Sequence, residues 1–126
     1  MNTQMNNQLC YLTYSANDEA WGTIITTAGF QHISPHASYP PSQHPKNYNF
    51  CPQNGRILNE YQFVYIVKGS GTFISDHSKK RSVKTGDLLI LFPGEWHNYY
   101  PNIDSGWDEY WVGFKGSYME HLIDKH

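Results

Sequence analysis

Gly86-Asp87-Leu88-Leu89-Ile90-Leu91-Phe92-Pro93-Gly94-Glu95-Trp96-His97 holds one strand-length apolar run between two turn signals. Gly86 supplies the backbone freedom for a tight turn with Thr85 and Asp87, Pro93-Gly94 breaks the run, and the chain resumes over 97–100 with His97 turned inward. Upstream, Phe63, Tyr65 and Val67 alternate against Val64, Ile66 and Lys68. Both sets are mainly apolar, which predicts a strand buried on both faces. Gly69-Ser70-Gly71 then reads as a reverse turn, with 72–75 returning as its hairpin partner. A second polar turn is expected over 76–80, and the charge run Lys79-Lys80-Arg81 is read as solvated turn surface. Downstream, after a turn over 101–106, Trp107, Glu109, Trp111 and Gly113 alternate against Asp108, Tyr110, Val112 and Phe114.

Short strands at this spacing predict a sandwich or barrel. The β-branched stretch 22–33 adds one or two strands. Residues 34–54 carry five of the seven prolines and can form neither a helix nor a central strand, so they are expected to act as a crossing or lid. Residues 1–20 show no sustained period and read as an arm that orders against something else. Over 116–126, Tyr118, Met119, Leu122 and Ile123 make an amphipathic helical stripe. That stripe meets no partner within the sequence, so the chain reads as part of something longer.

Composition narrows the function. A chain of 126 residues is one domain, and its net charge of −2 with only two arginines, Arg56 and Arg81, argues against direct nucleic-acid binding. Nothing can span a bilayer as an apolar helix. Cys10 and Cys51 are the only cysteines, and no secretory apolar segment follows Met1; a cytoplasmic protein with reduced thiols is expected. Ten Tyr, six Phe and four Trp are many for a chain only 39% hydrophobic, and favour β structure.

The 86–97 run resembles the second conserved motif of cupins, in which a Gly-Asp turn starts a strand, a Pro-Gly turn ends it and a His follows. With the glycines at 69 and 71, the segment 55–69 and the strand carrying Trp107, Trp111 and Phe114, residues 28–126 look like the ligand-sensing domain of AraC-family transcription regulators. The fold implied is mainly β: a cupin-like double-stranded β-helix (jelly-roll) barrel over 21–115, preceded by the 1–20 arm and followed by a short C-terminal helix beginning at 116. The resemblance also implies a small effector inside the barrel, dimerisation through the helix, and a separate C-terminal helix-turn-helix domain that contacts DNA. No helix-turn-helix pattern occurs within these 126 residues, so DNA is expected as a partner only through that other domain.

Positions matching the effector contacts of the family's sugar binders are Gln31, Arg56, Tyr99, Glu109 and Trp111. Arg56 can grip a carboxylate or adjacent hydroxyls with two N–H groups, and Trp111 can stack on the C–H face of a sugar. Two readings stand for Trp111, effector wall or barrel filler, whereas Trp107, Tyr65 and Phe63 read as core. His97 is either a buried histidine bonded to backbone or a direct ligand contact. Glu109 either faces the effector or pairs with Arg56. In enzymatic cupins two His, a Glu and a later His hold a transition metal; here the corresponding positions are Arg56, Leu58, Phe63 and His97. One imidazole does not hold a catalytic metal, so neither metal, cofactor nor catalysis is expected. The sequence therefore predicts a non-catalytic, small-molecule and carbohydrate-directed sensing domain that dimerises. The alternatives are a metal-dependent cupin enzyme and a free-standing carbohydrate-binding module.

Overall fold

The structure, a computed structural model, describes residues 7–39 and 54–125. Its elements are β1 (Gln8–Tyr11), α1 (Ala16–Glu19), β2 (Ile24–Ile33), β3 (Arg56–Ile57), β4 (Tyr61–Ser75), β5 (Ser78–Lys84), β6 (Leu88–Leu91), β7 (Trp96–Pro101), β8 (Trp107–Lys115) and α2 (Ser117–Lys125). All strand pairs are antiparallel. The sheet runs β1-β2-β8-β4-β7-β3, with β5 and β6 also paired to β4, and curls into a barrel. The expected mainly β barrel with a short C-terminal helix is what forms. Residues 40–53, which carry most of the proline-rich segment and Cys51, lie outside the described residues, as do residues 1–6 and 126. Cys10 is an exposed free thiol.

β4 departs from its sequence reading. It is one strand of 15 residues, and the glycines at 69 and 71 are not a hairpin turn. Its first half pairs with β6 and β8, and its second half with β5 and β7. The glycines sit where the strand changes partners. Gly69 has φ +92°, and a Cβ there would collide with the Gly106 carbonyl and the Trp107 backbone; one on Gly71 would collide with the Tyr100 carbonyl and the Trp107 indole. Close approach rather than chain reversal therefore selects glycine here. The reversal comes later, at Asp76 and His77, where Ser75 pairs with Ser78. Lys79, Lys80 and Arg81 consequently lie on strand β5 and not in a turn, though their side chains remain exposed.

Inward-facing residues of several strands meet in one apolar cluster: Ile33, Val64, Ile66, Val83, Leu89, Leu91, Tyr99 and Trp107. Each such buried aliphatic or aromatic side chain contributes roughly 1.5–3 kcal/mol. Trp107 belongs to the core as expected, but Phe63 does not: it is half-buried on the outer face of β4, edge-on to Phe114 at 4.9 Å. Tyr65 does not belong to the core. It is 44% exposed, because only the Val64/Ile66 face of β4 turns inward. β6 alternates too, burying Leu89 and Leu91 while Leu88 and Ile90 face outward.

Part of the expected N-terminal arm belongs to the sheet: β1 pairs along β2, from Gln8 opposite Phe30 to Tyr11 opposite Thr27. A four-residue strand is too short to show a period, so only its partner reveals it. β2 is a single strand with a bulge between Ile25 and Thr27. At the other terminus the Gly22 carbonyl accepts the Tyr118 N–H at 2.9 Å and fixes the start of α2. α2 buries none of its residues fully. No helix among the described residues is long and apolar enough to cross a membrane.

Candidate functional site

The barrel interior is polar at one end, and strand register explains how. β8 alternates, so Trp107, Glu109 and Trp111 point inward. β2 lies beside it with Gln31 opposite Glu109 and Gly29 opposite Trp111. The missing side chain at Gly29 leaves room for the Trp111 indole, which a Cβ there would strike. β7 contributes His97 and Tyr99 two residues apart, with rings stacked at 6.0 Å. Two-residue β3 places Arg56 directly opposite His97.

Gln31, Gln62, His97 and Glu109 are 1%, 2%, 1% and 3% exposed, so four hydrogen-bonding side chains are almost wholly removed from water. Arg56 ties the group together. Its Nε donates to His97 Nε2 at 3.1 Å, and its Nη2 donates to Tyr99 Oη at 2.7 Å and more distantly to Gln62 Oε1 at 3.5 Å. The guanidinium also lies 5.5 Å from the Tyr99 ring centre. Because Nε2 of His97 accepts, the ring proton sits on Nδ1, which donates to the Glu95 carbonyl at 3.3 Å. The imidazole is neutral: burial, aided by the charge of Arg56, pushes its pKa down to about 4.

Glu109 is perturbed in the opposite sense. Burial pushes its carboxyl up to about 7, against the opposing pull of Arg56 and of a hydrogen bond from Tyr39. Tyr39 Oη donates to Glu109 Oε2 at 3.4 Å, and its ring packs edge-on to Trp107 at 6.0 Å. Burial likewise raises the Tyr99 phenol to about 12, so it stays a neutral donor. Trp111 is half-buried, its indole N–H donating to Thr27 Oγ1 at 3.3 Å.

All six sequence candidates (Gln31, Arg56, His97, Tyr99, Glu109 and Trp111) thus line the interior, with Arg56, His97 and Tyr99 in direct contact. Of the two readings for His97, the backbone bond is present. Glu109 takes its hydrogen bond from Tyr39. Sequence reasoning passed over Tyr39, Gln62 and Thr27. A signal existed for Gln62, the one polar residue in the inward row Gln62, Val64, Ile66. None existed for Tyr39, whose contact with Glu109 spans 70 positions.

The residues do not fit a metal. Arg56 occupies one expected ligand position, Leu58 is buried core, and Phe63 sits on the opposite face of β4 from Gln62 and Val64. The Nε2 lone pair of His97 is engaged by the Arg56 cation. Among the described residues no group of three or more His, Cys, Asp or Glu side chains converges.

Comparison with known proteins agrees with this geometry. A family model described as the AraC-like ligand binding domain matches residues 35–125. No curated protein sequence matches. Among solved structures, a cupin from Bacteroides fragilis has TM-score 0.52 at 17% identity, covering 75% of this chain and 66% of its own. A "predicted oxalate decarboxylase" from Thermotoga maritima has TM-score 0.54 at 17% identity, covering 86% and 80%. A Cupin 2 conserved barrel domain protein from Salinispora arenicola has TM-score 0.51 at 19% identity, covering 96% and 86%. At such identities the likeness is one of fold: the barrel is a cupin-like double-stranded β-helix.

Proposed function

The chain belongs to the AraC-like ligand-binding domain family, and from that premise we propose that it is a non-catalytic receptor for a small, polyhydroxylated, sugar-like effector bound inside the barrel. The observation that carries this reading is the row of buried polar side chains: Gln31, Gln62, His97 and Glu109, with Arg56 and Tyr99 among them. A barrel filled for stability alone would be apolar there, because each buried polar group costs free energy unless it is fully bonded. A sugar needs this mixture: several neutral donors and acceptors for its hydroxyls, and an aromatic wall for its C–H face. Glu109, held protonated up to about pH 7, adds a carboxylic O–H donor to the set.

In this reading Arg56, Gln31, Tyr99, His97 and Glu109 contact the hydroxyls and Trp111 supplies the stacking face. The domain works as a homodimer in the cytoplasm, and α2 carries the bound state to a separate DNA-binding domain. Occupancy biases α2 between two positions by the difference in effector affinity for each.

The test is a thermal-shift screen of the 126-residue chain against mono- and oligosaccharides and sugar acids. At a hundredfold excess over Kd a true effector stabilises by about 2.7 kcal/mol, roughly 10 °C for a domain this size. Trp111→Ala should abolish that shift while the free protein still melts cooperatively. An undiminished shift in Trp111→Ala rejects the stacking role, and no shift with any sugar rejects the effector class.

A further inference from the structure

The end of β2 carries a polar chain that the effector site does not use. His32 faces outward on β2, and Ser34 follows two places later, just past the strand end. Pro35 keeps Ser34 extended, so the alternation continues and both side chains leave on the same face. Register sets Asp108 of β8 directly opposite His32, and opposite residues of an antiparallel pair share a face. His32 Nδ1 is hydrogen-bonded to Asp108 Oδ1. A carboxylate only accepts, so the ring proton sits on Nδ1 and Nε2 is left as the acceptor. Ser34 Oγ stands 3.1 Å from that Nε2 and donates its O–H to it. Hydroxyl, imidazole and carboxylate are thus linked in the order, and through the ring atoms, that activate a serine for attack. The Asp108 side chain is sheltered at 15% exposure, while His32 and Ser34 are open to an incoming molecule.

A second observation falls at the same place. Ser34 lines a cavity of about 180 Å³ whose apolar walls include Ile33, Pro101 and Ile103. At ~30 Å³ for each water displaced, that is the space of about six waters, enough for a short acyl group. His36 and Asn102 line the same cavity. Asn102 gives one amide N–H to Ser70 Oγ at 2.9 Å and carries a second. His36 has φ +64°, the one left-handed backbone among the described non-glycine residues, and its N–H donates to the Ile103 carbonyl at 2.7 Å. Backbone held in that region is common beside reactive groups. We propose that the chain carries a second site here, outside the barrel and separate from the non-catalytic effector site: a Ser34–His32–Asp108 triad that hydrolyses short-chain carboxylic esters. Ser34 Oγ bonds to the ester carbonyl carbon while His32 Nε2 takes its proton. The bond from that carbon to the alcohol oxygen then breaks, and His32 returns the proton to the departing alcohol. Water attacks the acyl-serine by the same route, giving one proton to His32, and the carboxylic acid leaves as Ser34 regains its own. Asp108 holds the ring and offsets its positive charge, and the N–H groups of Asn102 and His36 face the developing oxyanion. His32 and Ser34 stay open to water, so esters, with their better leaving group, fit this site and amides do not.

Two assays on the 126-residue chain test it. Release of p-nitrophenolate from p-nitrophenyl acetate and butyrate measures turnover. A fluorophosphonate, whose P–F bond breaks as Ser34 Oγ bonds to phosphorus, marks the nucleophile. A single adduct on Ser34 is expected by peptide mass mapping. Ser34→Ala and His32→Gln should each lower kcat/KM about a hundredfold or more. Asp108→Asn keeps the shape and removes the charge, so it should lower kcat by about tenfold or more at unchanged KM. Should Asp108→Asn misfold, Ser34→Ala at its exposed position still decides. Hydrolysis undiminished in Ser34→Ala, with no adduct on Ser34, overturns the proposal. So does hydrolysis that survives Ser34→Ala and is lost with His32→Gln, which makes the imidazole itself the nucleophile. The sugar screen is read independently of all these outcomes.

Discussion

Replacing Glu109 with Gln should expose a pH dependence of stability that His97 and Glu109 together cancel in the natural chain. His97 has its pKa pushed from 6.5 to about 4, and Glu109 has its own pushed from 4.5 to about 7. Between pH 4.5 and 6.5 the folded protein keeps a proton on Glu109 and none on His97; the unfolded chain does the reverse. Each state holds one proton across the pair, so the pair contributes no slope. A histidine depressed in the fold gives stability that is complete above pH 6.5 and is lost as pH falls toward 4. A carboxyl raised in the fold gives stability that is complete below pH 4.5 and is lost as pH rises through 7. Glu109→Gln deletes the second contribution and leaves the first. Each unit of displacement corresponds to 1.36 kcal/mol, so the variant should lose about 3 kcal/mol relative to its own neutral-pH stability between pH 6.5 and 4. His97→Gln should show the mirror image, losing a similar amount as pH rises from 4.5 to 7. Urea unfolding followed by tryptophan fluorescence at half-unit pH steps measures both, and the other ionisable groups cancel when each variant is subtracted from the natural chain. Parallel curves for Glu109→Gln and the natural chain would refute the opposed titrations.

Tyr39→Phe removes the hydroxyl that donates to Glu109 Oε2 and should raise the Glu109 pKa further, read from the side-chain carboxyl carbon by NMR titration; a lowered value would show that Tyr39 does not hold the carboxylate. Gly69→Ala places a Cβ against the Gly106 carbonyl at a left-handed φ and should cost about 2–4 kcal/mol in urea unfolding, whereas Gly86→Ala, with open space around the Cβ, should pay only the backbone strain of about 1 kcal/mol. Equal losses at the two positions would mean that close packing at the β4 bend is not what selects glycine.

The run 86–97 was readable because its turns are local: Gly86, Pro93 and Gly94 act through their own backbone preferences, and β6 and β7 appear where they predict. The same glycine chemistry misled at 69–71, since a residue chosen for proximity to Trp107 looks identical to one chosen for a turn. Lys79-Lys80-Arg81 resembled a loop because β5 is exposed on both faces from Lys79 to Ser82 and buries only Val83. Tyr65 looked buried because the outer face of β4 is as apolar as the inner one, and alternation alone does not say which of two apolar faces is covered. In the site, the candidates sit on strands whose alternation is legible, and their chemistry followed once the inner face was known. Tyr39 and the opposed titrations of His97 and Glu109 depend on burial and on distances across the barrel, which no local pattern encodes.

The unbroken course of β4 limits how the barrel can open. Both walls are stitched to one strand, pairing on it with β5, β6, β7 and β8, so there is no hinge along which they could part like the covers of a book. Prising them apart would rupture several ladders at once, and amides along β4 should exchange with solvent only as slowly as the whole domain unfolds. On the proposed reading, a small molecule would enter without parting these walls, by the end of the barrel where two-residue β3 holds Arg56 opposite His97 and Tyr39 donates to Glu109. On that same reading, the residence time of a bound molecule should follow the breaking of the Tyr39–Glu109 hydrogen bond and not any opening of the strands.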